Sequence, residues 1–241
     1  MRTIRAWVPE AESLEQVVAL PASVFQHLVK ALRLDNGAQV EVFNGRGQRF
    51  NGTLTNIGKK AANLLLSEQL VATEASPLVS HLGLVMSKGD RFDYAVQKAT
   101  ELGVTSLTPL TSERCDLRLA RDRYEKKLSH WHGIMTSACE QSYRDTLPIL
   151  HPIQSLNDWV LAQRSALKLV FHTAAQQPLW PAERPDSVSF LVGPEGGLSG
   201  SELAFAQQQG FTPWQLGPRI LRTETAPVVI LSLLQARWGD F

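Results

Sequence analysis

A chain of 241 residues with 44% hydrophobic and 20% charged residues can bury a real core and lies far from the composition of disordered proteins. Its formal net charge of +1 excludes a whole-chain basic excess, so any nucleic-acid contact must come from local patches. Two cysteines, Cys115 and Cys139, cannot build a metal cluster or a secreted disulfide scaffold, and no apolar run is long enough to span a membrane. The N-terminus breaks into charge before a signal-type segment can form, which leaves the cytoplasm as the expected compartment, with no membrane and no metal.

The first 70 or so residues read mostly as strand, at 3–8, 39–43, 48–57 and 61–67. Asn44-Gly45 and Gly58-Lys59-Lys60 supply reversals between them, so the runs form hairpins of a small barrel. One helix is expected over 22–34, with Val24, Phe25, Leu28, Val29 and Leu32 on its apolar face and His27, Lys30 and Arg33 turned away. The polar, proline-bearing stretch 72–77 is the linker, dividing the chain into 1–72 and 73–241.

Beyond it the rhythm changes to alternating strand and helix, an α/β pattern with a mainly parallel sheet. Strands are expected at 82–86, 104–107, 168–171, 188–192 and about 214–216. Helices are expected at 90–102, near 124–139, at about 200–209 and at about 225–238. Gly103 and Gly210 stop two of the helices. The run from Arg114 to Lys127 is basic but interleaved with Asp116, Asp122 and Glu125, and reads mainly as the solvent face of a helix.

Chemistry concentrates in two glycine-bearing segments at strand ends. In the first, the strand ending at Val192 empties into Gly193-Pro194-Glu195-Gly196-Gly197, and Ser199 with Glu202 has the spacing of a capping box. Ligands of open α/β sheets sit at the carboxyl ends of strands, where this loop must lie. It is neither a phosphate loop nor a dinucleotide fingerprint, and Glu195 would repel a polyphosphate. An acidic loop suits a ligand of positive character such as S-adenosylmethionine, although a tight turn without ligand fits the glycine count equally well. In the second segment, Gly217-Pro218 presents main-chain groups, Thr223 or Thr225 can cap the last helix, and Arg222 with Glu224 forms a charged pair. Two such loops favour a shared pocket over two unrelated turns.

GPEGGLSGSE followed by LGPRILRTETA resembles the C-terminal signature of the RsmE family, within the SPOUT class of RNA methyltransferases. MSKGDRFDYAVQKATELGV, SERC, ACEQSYRDTLP and HLVKALRL resemble the same family in its order, so the likeness covers nearly the whole chain. Departures are small: Tyr143 stands where a glycine is usual, and Thr173 follows His172 where proline or an acidic residue is expected. The resemblance implies a SPOUT-type α/β trefoil knot preceded by a PUA-like β-barrel, with a bent S-adenosylmethionine held by the knot loops. It also implies a homodimer that methylates N3 of a specific uridine in 16S ribosomal RNA, free or in the small ribosomal subunit.

On that basis cofactor binding is expected at Gly193, Glu195, Gly196, Gly197, Leu216, Gly217, Ile220 and Leu221. His172 joins them, with a satisfied buried histidine as the competing reading. Arg222 is expected to stabilise charge developing on the uracil, and Glu224 to orient it or accept a proton. Resemblance and charge assign RNA contact to Arg5, His27, Lys30, Arg33, Lys88, Arg114 and Arg144. Two other readings stay open: a non-catalytic RNA-binding protein of ribosome assembly, and a knotted ribose 2′-O-methyltransferase.

Overall fold

The structure is a computed structural model that describes residues 3–115, 121–172 and 180–241. The chain divides into two compact units: residues 1–75 together with 139–147, and residues 76–138 together with 148–241. The Thr173 departure and residues 116–120 of the basic run lie outside the described residues.

The first unit is a five-stranded sheet of β1 (Arg5–Trp7), β2 (Val17–Ala19), β3 (Gln39–Phe43), β4 (Arg49–Thr55) and β5 (Asn63–Leu70), in the order β1-β3-β4-β5-β2. β1 runs parallel to β3, and the other pairs are antiparallel. In β4, residues alternate strictly between fully and partly buried, as a half-solvated sheet demands. Phe50, Leu54, Leu64 and Leu66 line its inner face. Each such side chain contributes about 1.5–3 kcal/mol when fully buried.

The helix expected over 22–34 is shorter and changes its winding. α1 (Ala22–Phe25) continues as a π-helical segment, Gln26–Ala31, with Leu32 N–H donating to the His27 carbonyl at 2.9 Å. Val24, Phe25 and Leu28 still face the core, while His27, Lys30 and Arg33 remain exposed.

A buried ion cluster joins residues distant in sequence within this unit. Arg5 donates to the carbonyls of Cys139 at 2.8 Å and Arg144 at 2.9 Å, and pairs with Asp145 and with Glu41. The other oxygen of Asp145 accepts from the Thr73 N–H at 2.6 Å. The Arg5 guanidinium stands 4.3 Å from the Phe43 ring centre and 5.3 Å from that of Tyr143. Tyr143 itself has φ 61°, a left-handed conformation that costs a β-carbon-bearing residue energy and explains why a glycine suits the position.

The second unit is a parallel sheet in the order β12-β10-β11-β6-β7-β8, with β9 also on β7. Its strands are β6 (Val79–Val85), β7 (Ser106–Thr111), β8 (Ile149–Leu150), β9 (Gln154–Ser155), β10 (Leu167–Phe171), β11 (Ser187–Val192) and β12 (Thr212–Trp214). The helices are α2 (Asp90–Glu101), α3 (Tyr124–Ser142), α4 (Leu156–Ala162), α5 (Gly200–Gln208) and α6 (Thr225–Trp238), the last turn of α3 being counted with the first unit. β11 is buried along nearly its whole length, as a central parallel strand covered on both faces must be. Among the described residues no helix is long and apolar enough to cross a membrane.

Neither Thr223 nor Thr225 caps α6. Its N-cap position is Glu224, which makes no side-chain cap, and the Arg222 carbonyl instead accepts from the N–H groups of Thr225 at 2.9 Å and Ala226 at 3.1 Å.

Candidate functional site

The order β12-β10-β11 brings the carboxyl ends of three neighbouring parallel strands together at Trp214, Phe171 and Val192. The loops that leave Val192 and Trp214 carry the two glycine-bearing segments, and they enclose one cavity of about 620 Å³. That size lies within the usual range of about 300–1,000 Å³ for small-molecule sites.

The first loop is held by its own sequence. The Gly197 N–H donates to the Pro194 carbonyl at 2.9 Å, and Gly197 has φ 67°, which favours glycine. The capping box is present in full: Ser199 Oγ accepts from the Glu202 N–H at 3.1 Å, and Glu202 Oε2 accepts from the Ser199 N–H at 2.9 Å. Glu202 Oε1 accepts from the Glu113 N–H at 2.8 Å, so one buried carboxylate fastens two loops. Arg114 adds bonds to the carbonyls of Gly196 at 3.1 Å and Leu198 at 3.4 Å. In the second loop Gly217 has φ 78° and nothing within 4 Å of where a β-carbon would stand, so its backbone faces open space.

Every residue expected to bind the cofactor lines this cavity: His172, Gly193, Glu195, Gly196, Gly197, Leu216, Gly217, Ile220 and Leu221. Arg222 and Glu224 line it too. The Arg222 guanidinium is 78% exposed and 3.9 Å from Glu224 Oε1, a loose pair contributing little to stability. Glu224 Oε2 is buried without a hydrogen-bond partner, which leaves an acceptor unsatisfied. Glu195 pairs with Arg91 at 2.9 Å.

The residues expected at RNA fall into different settings. His27, Lys30, Arg33, Lys88 and Arg114 are exposed, with Arg114 engaged on the glycine loop, and Arg144 is half-buried. Arg5 corrects the expectation: it is 6% exposed, and its donors are committed to main-chain carbonyls and carboxylates, so it has no guanidinium edge left for a phosphate.

Sequence reasoning missed Arg91 and Phe171 on the cavity wall. Phe171 ends a parallel strand next to His172, and the rule that ligands sit at such ends would have found it. Arg91 comes from the first turn of α2, 104 residues before its partner Glu195, and no local spacing signals that pairing.

Comparison with known proteins agrees with this geometry. Residues 74–235 match the model of an RNA methyltransferase domain, and residues 20–67 match an RNA methyltransferase PUA domain. The ribosomal RNA small subunit methyltransferase E of Buchnera aphidicola subsp. Schizaphis graminum is 33% identical over 241 residues, covering 99% of this chain and 98% of the relative. The chain belongs to the RsmE family. Solved structures extend the likeness of this RsmE-family chain to three dimensions. A putative methyltransferase from Legionella pneumophila, in complex with the bound cofactor SAM, is 36% identical with a TM-score of 0.94, and each chain is covered in full. The ribosomal RNA small subunit methyltransferase E of Neisseria gonorrhoeae, bound to S-adenosyl methionine, is 36% identical with a TM-score of 0.91, again with both chains fully covered.

Proposed function

We propose that this chain methylates N3 of a uridine in 16S ribosomal RNA with S-adenosylmethionine as donor. The observation that carries the reading is that two glycine-bearing loops, Arg222 and Glu224 line one cavity in an RsmE-family chain.

The residues present fit the donor. Main-chain groups at Leu216, Gly217, Ile220 and Leu221 would read its adenine, Gly193 and Gly196 line the wall, and Gly197, with open space where a β-carbon would stand, allows close approach to the backbone. His172 would border the same ligand, and the carboxylates of Glu195 and Glu224 complement a ligand with ammonium and sulfonium groups. When bound, S-adenosylmethionine supplies a methyl carbon made electrophilic by its sulfonium.

Uridine N3 carries a proton at neutral pH, and its lone pair is available only once that proton leaves. Glu224 accepts the proton, and the electron pair stays on N3. Arg222 places positive charge beside the base, where it stabilises the negative charge that spreads onto the uracil oxygens. The loop bonds from Arg114 and Glu202 keep the cavity wall in place, so little reorganisation is needed at the moment of reaction.

RNA docking is assigned to the PUA-like β-barrel of residues 1–72, through His27, Lys30 and Arg33, with Arg144 from the segment 139–147 of the same compact unit and Lys88 and Arg114 from the second unit. The finer fold is a SPOUT-type trefoil knot formed by the loops around the cavity. The family likeness and the convergence of β10, β11 and β12 support this reading. The protein acts as a cytoplasmic homodimer on free RNA or on the small subunit.

The test is direct. Calorimetry should show S-adenosylmethionine binding, and unmodified small subunits or naked RNA incubated with labelled donor should yield 3-methyluridine by nucleoside mass spectrometry. Absence of donor binding would leave a non-catalytic RNA-binding protein, and a 2′-O-methyl nucleoside would move the chemistry to ribose.

A further inference from the structure

A second cavity of about 830 Å³ borders the first, lined in part by Lys88, Arg91, Tyr94, Glu195 and Glu224. Arg91, Glu195 and Glu224 belong to both walls, so the Arg91–Glu195 pair and the Glu224 carboxylate stand where the two cavities meet. We infer that the second cavity receives the target uridine out of its stack, with Tyr94 as the platform for the base.

Several groups of this wall, which also carries Asp90 and Thr225, suit a uracil nucleotide. Tyr94 is 46% exposed, large for an aromatic side chain on a helix whose Phe92 is buried, and offers a ring face on which any base can stack. Lys98 Nζ lies 5.9 Å from that ring, giving it a cationic neighbour. Lys88 is exposed at the cavity, and its ammonium suits the phosphate of the flipped nucleotide. Uracil presents an N3–H donor between two carbonyl acceptors. Glu224 on the shared wall offers a carboxylate acceptor of the kind that edge requires, and Arg91, which lines both cavities and pairs with Glu195, is a donor for a uracil carbonyl. A nucleotide seated here presents N3 to the wall shared with the donor cavity. Enzymes that act on one base commonly extrude it into such a pocket, at a cost of a few kcal/mol that stacking on the protein helps to offset.

The inference rests on the methyl-transfer reading above, and its test separates the two. Tyr94→Ala and Tyr94→Phe would be made in the full chain and assayed on unmodified small subunits. The KM for RNA should rise about tenfold in Tyr94→Ala, the size of one lost base–aromatic stack, and return in Tyr94→Phe. Calorimetric affinity for S-adenosylmethionine should stay within about twofold in both, because Tyr94 does not line the first cavity. RNA carrying 4-thiouridine at the mapped methylation position should crosslink to the segment 88–94. Wild-type transfer with an unchanged KM in Tyr94→Ala, or crosslinks confined to other segments, would overturn the pocket and spare the enzyme reading. So would a Tyr94→Ala protein whose mass by light scattering falls together with its activity, since Tyr94 would then serve a subunit contact. A wild-type protein that transfers no methyl group would remove both.

Discussion

Replacing Arg5 by methionine distinguishes a structural cation from an RNA contact. Its guanidinium lies against Asp145, whose side chain is fully buried, and 3.0 Å from Glu41, while two main-chain carbonyls accept two more of its protons. Without it a carboxylate is left in a site closed to water, and breaking a buried pair in this way costs about 3–5 kcal/mol. Arg49 stays 3.9 Å from both carboxylates with its side chain 22% exposed, so it compensates in part and sets the expected loss at the lower end, about 3 kcal/mol. In a chain of this size each kcal/mol moves the melting temperature by about 2–4 °C, so calorimetry should record a drop of about 6–12 °C. Arg5→Met combined with Asp145→Asn should recover part of the loss, because no uncompensated charge remains. The salt dependence of RNA affinity, measured well below the transition, should keep the slope of the unmodified protein. A slope reduced by about one unit, with an intact melting temperature, would refute the structural assignment, since that is the signature of a lost phosphate contact.

Other substitutions probe the site and a buried thiol. Arg222→Ala should lower kcat by about 10²–10³-fold, the usual loss of one group that stabilises developing charge, while S-adenosylmethionine affinity measured by calorimetry stays nearly unchanged. Gly197→Ala imposes a side chain on a backbone at φ 67°, so donor affinity should weaken several-fold and stability fall by about 1 kcal/mol. Burial pushes the Cys139 thiol up from its ordinary value of 9.0 to about 11. A raised thiol value means less thiolate at any lower pH. In a Cys115→Ala background, alkylation at pH 8 should therefore run about a hundredfold slower than for an unshifted thiol and keep accelerating up to pH 11, a rise that a plateau near pH 9 would contradict.

The elements written in local pattern were readable from the sequence, and those made by distant partners were not. α6 falls at its expected position because a long apolar stretch with a flanking glycine fixes it, and β3 because Val40 and Val42 alternate with polar residues ahead of the Asn44-Gly45 reversal. The capping box at Ser199 was legible because both partners sit within one turn. The same spacing at Ser155 and Asp158 opens α4, whose N-cap Ser155 Oγ accepts from the Asp158 N–H at 3.1 Å, yet that helix of seven residues was passed over. β2 is three residues long with one buried side chain, too short for alternation to register. The cavity could be located because each loop is continuous in sequence and follows a strand. Arg91 and the fate of Arg5 could not, because Glu195 and Asp145, their respective partners, lie more than 100 residues away and a charged side chain gives no sign of whom it will meet.

The clasp between Arg5 and Asp145 bears on how the protein is made and how it could be taken apart. During synthesis the amino-terminal sheet cannot complete its ion cluster until Asp145 has left the ribosome, so it waits, half-finished, while the intervening residues 76–138 are translated. A fragment cut at the linker would leave Arg5 with Glu41 but without Asp145, and would lack the segment 139–147 whose carbonyls it also binds. This sheet is therefore no portable cassette: grafting it onto another enzyme requires the downstream segment 139–147 to travel with it.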